Sequence, residues 1–373
     1  MSKIAIISTH PAPYRDSFLR ALVHEDTFDI DVYSLFSYDK GHSYWGLKDG
    51  GYHPINLHAE RHSLIFTTLK LLHLFVFSHK YEFVLWPCWA YKCLKLPIFL
   101  SAVLGRKYAL GADSVAQEPL MKVLMAIKTY VIKHAQFIFV PGRASQEFFL
   151  KQFSLKPNQI LLGAYSLEGE RLECEILARR KNKDIIREKL DIPCMNIVYL
   201  MVANMIPTRH YPITVCGFLK FAQNHHNVTF LAVGNGSDYE DMKKLADKNA
   251  AFKVLPGCAF DEMLSLYAIS DVYVHGGREP ASTALIIGSL AHLPLMSSDA
   301  VGCSMDVLRD GETGYCVANY KDENDWKEAF EKSFMTKTEW ERMGIRAREL
   351  SKNLDIDAVI GKFIQKLTEL VKS

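Results

Sequence analysis

At 373 residues, the chain is longer than one hydrophobic core usually grows, so two domains of roughly 170 to 200 residues are expected. Hydrophobic residues at 49% and charged residues at 23% are the proportions of a soluble globular protein. The longest apolar run, about Leu96 to Gly105, is too short for a membrane span. The eight scattered cysteines, without a Cys-x-x-Cys pair, read as reduced, packed thiols of a cytosolic protein.

The net charge of +2 conceals an asymmetry, because residues 1–170 carry 18 Lys+Arg against 14 Asp+Glu, and residues 62–133 alone carry 9 against 3. A basic half suggests an anionic partner. Nucleic acid is disfavoured, since no helix-turn-helix, zinc-finger or RNA-binding signature accompanies the charge.

Lys3 to Ser8 is a continuous apolar strand of the kind found in parallel sheets covered on both faces, with too short an apolar core for a signal peptide. Thr9 to Asp16 follows as a loop before a helix from about Ser17 to Val23. Its His10, Pro13, Tyr14 and Arg15 stand at the carboxyl end of a strand, where ligands bind in such sheets. Phe28 to Leu35 is the second strand, and Ser37 to His53 is a long polar, aromatic loop of the sort that is often functional. Then come an amphipathic helix (Ser63 to Phe77), a strand (Phe83 to Trp86), a loop entering a helix (Cys88 to Leu104) and a strand (Tyr108 to Leu110). Asp113 lies just past that strand, again at a carboxyl end. Helices over Pro119 to His134 and Arg143 to Phe153 flank a strand at Phe137 to Val140. This alternation predicts an α/β, doubly wound, Rossmann-like domain over residues 1–170. Glu168 to Lys189, charged and poor in apolar residues, reads as the connection.

A second such domain, residues 171–352, opens with a buried strand (Asn196 to Val202) and the loop Ala203 to His210. It continues with a helix (Ile213 to Gln223), a strand (Thr229 to Val233) ending in Gly234-Asn235-Gly236-Ser237, a helix (Tyr239 to Asn249), a short strand before Pro256-Gly257, and a helix (Phe260 to Ser270). Val272 to Val274 is a strand that breaks at Gly276 and Gly277 and leads into an almost wholly apolar helix, Ala284 to Leu293. Ser282 and Thr283 stand where that helix needs its first cap, so the free N–H groups of its first turn favour an anion. Pro294 to Ser298 is another buried strand, Gly302 lies in a turn, and Asp310-Gly311-Glu312-Thr313-Gly314 is a hairpin signal before Tyr315 to Val317. Helices over Glu323 to Phe334 and Glu339 to Leu350 precede a last amphipathic helix, Asp355 to Val371, within residues 353–373.

Glu279-Pro280, Pro294, Ser298, Gly302, Asp310-Gly311 and Gly314 occur in an order and spacing that resembles the nucleotide-sugar site of the retaining family-4 glycosyltransferases of the GT-B fold. The resemblance covers the whole second domain and the first in outline. It implies two doubly wound domains facing a cleft, with the C-terminal helix crossing back to the first. It also implies that Glu279 holds donor-sugar hydroxyls and that Arg209, at the position of a family lysine, grips the donor diphosphate. Asn204 stands where the family has an arginine. Gly234, Gly257, Ser282, Thr283 and Asp306 complete the implied donor site. On the acceptor side, Asp113 and His10 are candidates for the chemistry, beside Pro13, Tyr14 and Arg15 in a Pro-x-Pro-Tyr-Arg loop that the family also uses. One departure is Ile287, where the family has a second glutamate that holds the donor ribose.

The implied activity is retaining transfer of a sugar from a nucleoside-diphosphate donor to a glycan or lipid-linked glycan acceptor, in bacterial surface polysaccharide synthesis. No metal or other cofactor is expected, since no Asp-x-Asp or His cluster has ligand spacing. Lys122, Lys128 and Lys133 on the apolar stretch Leu120 to Ile132 add an expectation of reversible, peripheral attachment to the cytoplasmic, anionic face of the inner membrane. Two alternatives stay open. One is a non-catalytic GT-B partner subunit, favoured by Ile287 and Asn204 and opposed by Glu279 and Arg209. The other is a sugar epimerase or phosphorylase on the same fold.

Overall fold

Short β-branched and aromatic runs, each flanked by turn residues, form the strands of two parallel sheets in the computed structural model of the protein. It describes residues 2–10, 12–37, 53–115 and 121–372. Most of the loop expected over Ser37 to His53, the residue Leu120, and the side chains of Pro13 and Tyr14 lie outside the described residues.

The first sheet holds β1 (Lys3–Ser8), β2 (Asp29–Ser34), β3 (Ile55–Asn56), β4 (Phe83–Trp86), β5 (Tyr108–Gly111), β6 (Ile138–Val140) and β7 (Ile160–Leu162). Their spatial order is β3-β2-β1-β4-β5-β6-β7, and every pairing is parallel. The helices between them are α1 (Pro13–Val23), α2 (Leu64–Leu71, continued by a π-helical turn, Leu72–Phe77), α3 (Lys92–Val103), α4 (Lys122–His134) and α5 (Arg143–Phe153). Because successive strand side chains point to opposite faces, β1 feeds two cores. Ala5 and Ile7 pack under α2 to α5, whereas Ile4 and Ile6 pack with α1. Helix α1 starts at Pro13, earlier than the expected Ser17, as suits a proline in a first turn.

The second sheet holds β8 (Ile197–Val202), β9 (Val228–Val233), β10 (Phe252–Leu255), β11 (Val272–His275), β12 (Leu295–Ser297) and β13 (Gly314–Cys316), in the order β10-β9-β8-β11-β12-β13. It is parallel throughout as well. Its helices are α6 (Gly169–Arg180), α7 (Lys183–Lys189), α8 (Tyr211–Ala222), α9 (Tyr239–Ala246), α10 (Phe260–Ala268), α11 (Thr283–Leu290), α12 (Ser304–Val307), α13 (Glu323–Met335) and α14 (Trp340–Ser351). The last helix, α15 (Ile356–Lys372), belongs to the first unit. Its Phe363 ring lies 5.4 Å from Phe18, 5.8 Å from Phe137 and 5.2 Å from Phe139. Unit 1 is therefore residues 1–167 with 354–373, and unit 2 is residues 168–353.

Three features differ from the sequence reading. The charged segment Glu168 to Lys189 is not a bare connection but forms α6 and α7, because its charges find partners. Buried Arg187 bonds the carboxylate of Asp271 at 2.7 Å and the carbonyls of Ile269, Cys194 and Asn196. The Asp310 to Gly314 signal makes no hairpin. Its turn is closed by Gly311 N–H to Gly314 O (2.9 Å) and delivers β13 parallel to β12. Of the eight free cysteines only Cys93 and Cys303 are buried, and Cys174, Cys194 and Cys316 are exposed.

Each sheet reverses its winding once, between β1 and β4 and between β8 and β11. The carboxyl ends of those strands open the crevice in which such folds bind ligands.

Candidate functional site

In unit 2 the loops leaving β8 and β11 run side by side, since those strands are neighbours. Arg209 comes from a single helical turn after β8 (Pro207–Arg209). Two hydrogen bonds fasten that turn to the loop after β11, Arg278 N–H to Thr208 O and Arg209 Nη1 to Arg278 O, each 2.8 Å. The fit is close enough that a Cβ on Gly277 would stand 2.7 Å from Arg209 Cα. The glycines that end β11 thus admit the arginine turn.

The consequence is a three-residue cluster. Arg209 Nη2 lies 2.6 Å from Glu279 Oε2, and His275 Nε2 lies 2.5 Å from Glu279 Oε1. His275 Nδ1 accepts the Gly277 N–H at 3.2 Å, so the ring proton sits on Nε2 and is donated to the carboxylate. The backbone of Glu279 is held as well, its carbonyl by Gly302 N–H at 2.8 Å. A Cβ on Gly302 would stand 1.8 Å from Pro280 O, so the glycine in that turn is what lets it cross over Glu279-Pro280. The Glu279 side chain is only 12% exposed. Burial pushes its carboxyl up, but His275, the Arg209 guanidinium and a hydrogen bond from Ser282 outweigh burial and hold it below the usual carboxylate range.

Helix α11 begins beside this cluster. Ser282 Oγ caps it by accepting Leu285 N–H at 3.3 Å. Ser282 is locked in turn by Cys303, whose Sγ accepts Ser282 N–H at 3.0 Å. Burial pushes the Cys303 thiol up, which keeps it a neutral packing group. The N–H groups of Thr283 and Ala284 have no acceptor among the described residues. They supply partial positive charge next to Arg209. From Leu285 to Leu290 every residue of α11 is buried, including Ile287 at 1% exposure, so position 287 packs in the core.

The other donor-side candidates fall around the same strand ends. Asn204 is half-buried at the start of the arginine turn. Gly234 packs its backbone against Ala203, and Gly257 donates its N–H to Asn235 Oδ1 at 3.0 Å. Asp306 is buried on α12. Two participants escaped the sequence reading. His275 looked like the last residue of a strand, and exposed Arg278 holds the arginine turn through its backbone N–H and carbonyl. A polar residue ending an apolar strand four positions before a glutamate was the available signal.

Unit 1 has a cavity of about 330 Å³ at the carboxyl ends of β1, β4 and β5, lined by His10, Arg15, Trp86, Tyr91, Asp113 and Tyr165 among others. His10, Arg15 and Asp113 are therefore brought together. Arg15 Nη1 bonds Thr9 Oγ1 at 2.6 Å and His10 O at 2.8 Å, which fixes the loop after β1. Asp113 accepts the Tyr165 hydroxyl at 3.0 Å. The buried Trp86 Nε1–H has no partner among the described residues. Hydroxyl-rich ligands suit such a mixture of rings, donors and a carboxylate. Among the described residues no group of three His, Cys, Asp or Glu could hold a metal ion.

Residues 182–350, most of unit 2, match the family described as glycosyl transferases group 1. No curated protein matches the chain. Among solved structures it is similar to a glycosyltransferase from Rickettsia africae, with TM-score 0.76 and 13% identity over 100% of this chain and 99% of that one. It is similar to Anabaena HepE in complex with UDP, with TM-score 0.74 and 14% identity over 99% and 100%. It also resembles WaaG, a glycosyltransferase involved in lipopolysaccharide biosynthesis, with TM-score 0.63 and 14% identity over 98% and 99%. The shared architecture is the GT-B fold.

Proposed function

We propose that this chain, whose residues 182–350 match the family described as glycosyl transferases group 1, moves a sugar, with retention, from a nucleoside diphosphate to a glycan or lipid-linked glycan acceptor. We further place this work in bacterial surface polysaccharide synthesis, at the cytoplasmic side of a membrane. The observation that carries the reading is the cluster of Arg209, Glu279 and His275 at the β8/β11 switch point, beside the Thr283 and Ala284 N–H groups, which have no acceptor among the described residues. Support for a uridine donor comes from HepE, solved with UDP and with UDP-glucose. WaaG supports the polysaccharide setting.

In the proposed step the bond from the sugar's anomeric carbon to the diphosphate breaks. A bond to the acceptor oxygen forms on the same face, and the acceptor's proton goes to a diphosphate oxygen. Arg209 and the N–H groups of Thr283 and Ala284 meet the charge that develops on the leaving diphosphate. Glu279, oriented by His275, accepts from sugar hydroxyls, and the diphosphate competes with it for Arg209. His10 and Asp113 in the unit 1 cavity serve the acceptor. This scheme uses positioning and charge, and it requires no metal ligand from the chain.

The buried Ile287 favours a second reading, a non-catalytic partner subunit, because isoleucine offers the ribose no acceptor. Melting curves with UDP, ADP and GDP separate the two. A ligand at a hundred times its dissociation constant stabilises by about 2.7 kcal/mol, so the enzyme reading expects UDP to raise the melting temperature. No response to any of the three would favour the partner subunit.

A further inference from the structure

One outer layer of unit 1 is finished unlike the rest of the protein. Helices α2, α3 and α4 lie side by side on one face of the seven-stranded sheet. Their inner faces build the core, and their outer faces stay apolar. On α2 the usual pattern is inverted, with Thr67 and Leu71 buried while Ile65, Phe66 and Leu69 are exposed, Ile65 at 73%. Helix α4 buries only Val131 and Ile132 and leaves Val123 at 69% exposure. Of the seventeen large apolar residues exposed among the described residues, twelve fall between Leu64 and Tyr130. Single exposed apolar residues are ordinary, but a contiguous cluster marks an interaction surface.

Charge identifies the partner. Across α2, its π-helical turn, α3 and α4 there are six lysines and not one aspartate or glutamate. A second copy docking through the same face would set lysines against lysines with no carboxylate to answer them. A surface of lipid phosphates with an apolar layer beneath matches both the lysines and the exposed side chains. Among the described residues no helix is long and apolar enough to cross a membrane, so the face would rest on the bilayer without spanning it.

We propose that the α2–α3–α4 face of unit 1 seats on an anionic bilayer, its apolar side chains entering the boundary between headgroups and acyl chains while its lysines meet lipid phosphates. This deepens the membrane setting proposed above and rests on it. It moves the main apolar contact from α4 alone to α2 and its neighbours.

Flotation with phosphatidylglycerol-rich and with pure phosphatidylcholine vesicles, at low and high salt, tests it. The wild type should bind the anionic vesicles at low salt. Ile65→Asp with Leu69→Asp should cut that binding about tenfold or more, as should Lys95→Gln with Lys122→Gln at low salt. All four positions lie outside the donor site, so melting temperature and UDP binding should not change. A wild type that ignores anionic vesicles at low salt defeats both this assignment and the membrane setting. Undiminished binding by the Ile65/Leu69 variant defeats the assignment alone. A wild-type dimer that the same variant splits would give the face to a second copy, and that too overturns the proposal.

Discussion

On unit 2 the outer helices are laced by charge. Lys220 of α8 reaches Glu323 of α13 at 2.8 Å, His225 meets Glu331 at 2.8 Å, and Arg346 of α14 holds both Glu312 and Glu349. On unit 1 the corresponding layer of α2, α3 and α4 has lysines with no carboxylate on those helices and a row of exposed aliphatic side chains. The sheets beneath are wound alike, so the fold does not account for the difference. Exposed ion pairs contribute little, about 0 to 1 kcal/mol each, but they keep a surface solvated and without a partner. Unit 1 has such pairs elsewhere, as between Lys80 and Asp31 at 3.0 Å, but the helices of this layer carry no carboxylate, and this face is where a partner of opposite charge belongs.

Unit 2 should depend most strongly on its buried charge. Arg187 is almost fully buried against Asp271 and three carbonyls. Arg187→Ala leaves those groups unanswered and should cost about 3 to 5 kcal/mol, read by denaturant unfolding. A loss comparable to that of an exposed pair such as Lys220–Glu323 would mean that unit 2's charges are decoration throughout. Next in size is Ile287→Glu, which puts a carboxylate among the apolar side chains of α11. It should lower stability by roughly 3 kcal/mol without improving nucleotide affinity. A variant that keeps its melting temperature and binds UDP more tightly would show that position 287 faces the ribose after all.

These two residues also show what was legible in the sequence. The strands of both sheets announced themselves as short apolar runs at regular spacing, and Glu279, Pro294 and Gly302 were identifiable by their order. Arg187 was hidden because a charged segment looks the same whether its charges are solvated or buried. His275 left only a faint trace, a polar residue ending an apolar strand four positions before a glutamate, and that spacing does not say that the two side chains will meet across the loop. A Gly-rich turn signal does not encode whether the next strand runs parallel or antiparallel, hence the turn at Gly311 that is no hairpin. The inverted face of α2 escaped for a related reason: periodicity reveals a stripe, and only packing decides which side the sheet takes.

The smallest effect expected concerns pH. Glu279 is held below its ordinary value of 4.5, so its contribution to stability is complete above pH 4.5 and is lost as the pH falls through the lower value in the folded protein. Glu279→Gln should flatten that acid limb in melting curves taken between neutral and acid pH, while unit 1's contribution stays unchanged. An unaltered acid limb would show that the Arg209–Glu279–His275 cluster carries no such linkage.

In the proposed reaction unit 2 grips a diphosphate through Arg209 and the first turn of α11. Calorimetric titration of the wild type and of Arg209→Ala with UDP and with uridine tests it most directly. UDP should bind the wild type much more tightly than uridine, and Arg209→Ala should remove about 1.5 to 3 kcal/mol of UDP affinity while leaving uridine unaffected. Equal wild-type affinities for UDP and uridine, or a UDP affinity untouched by Arg209→Ala, would contradict it.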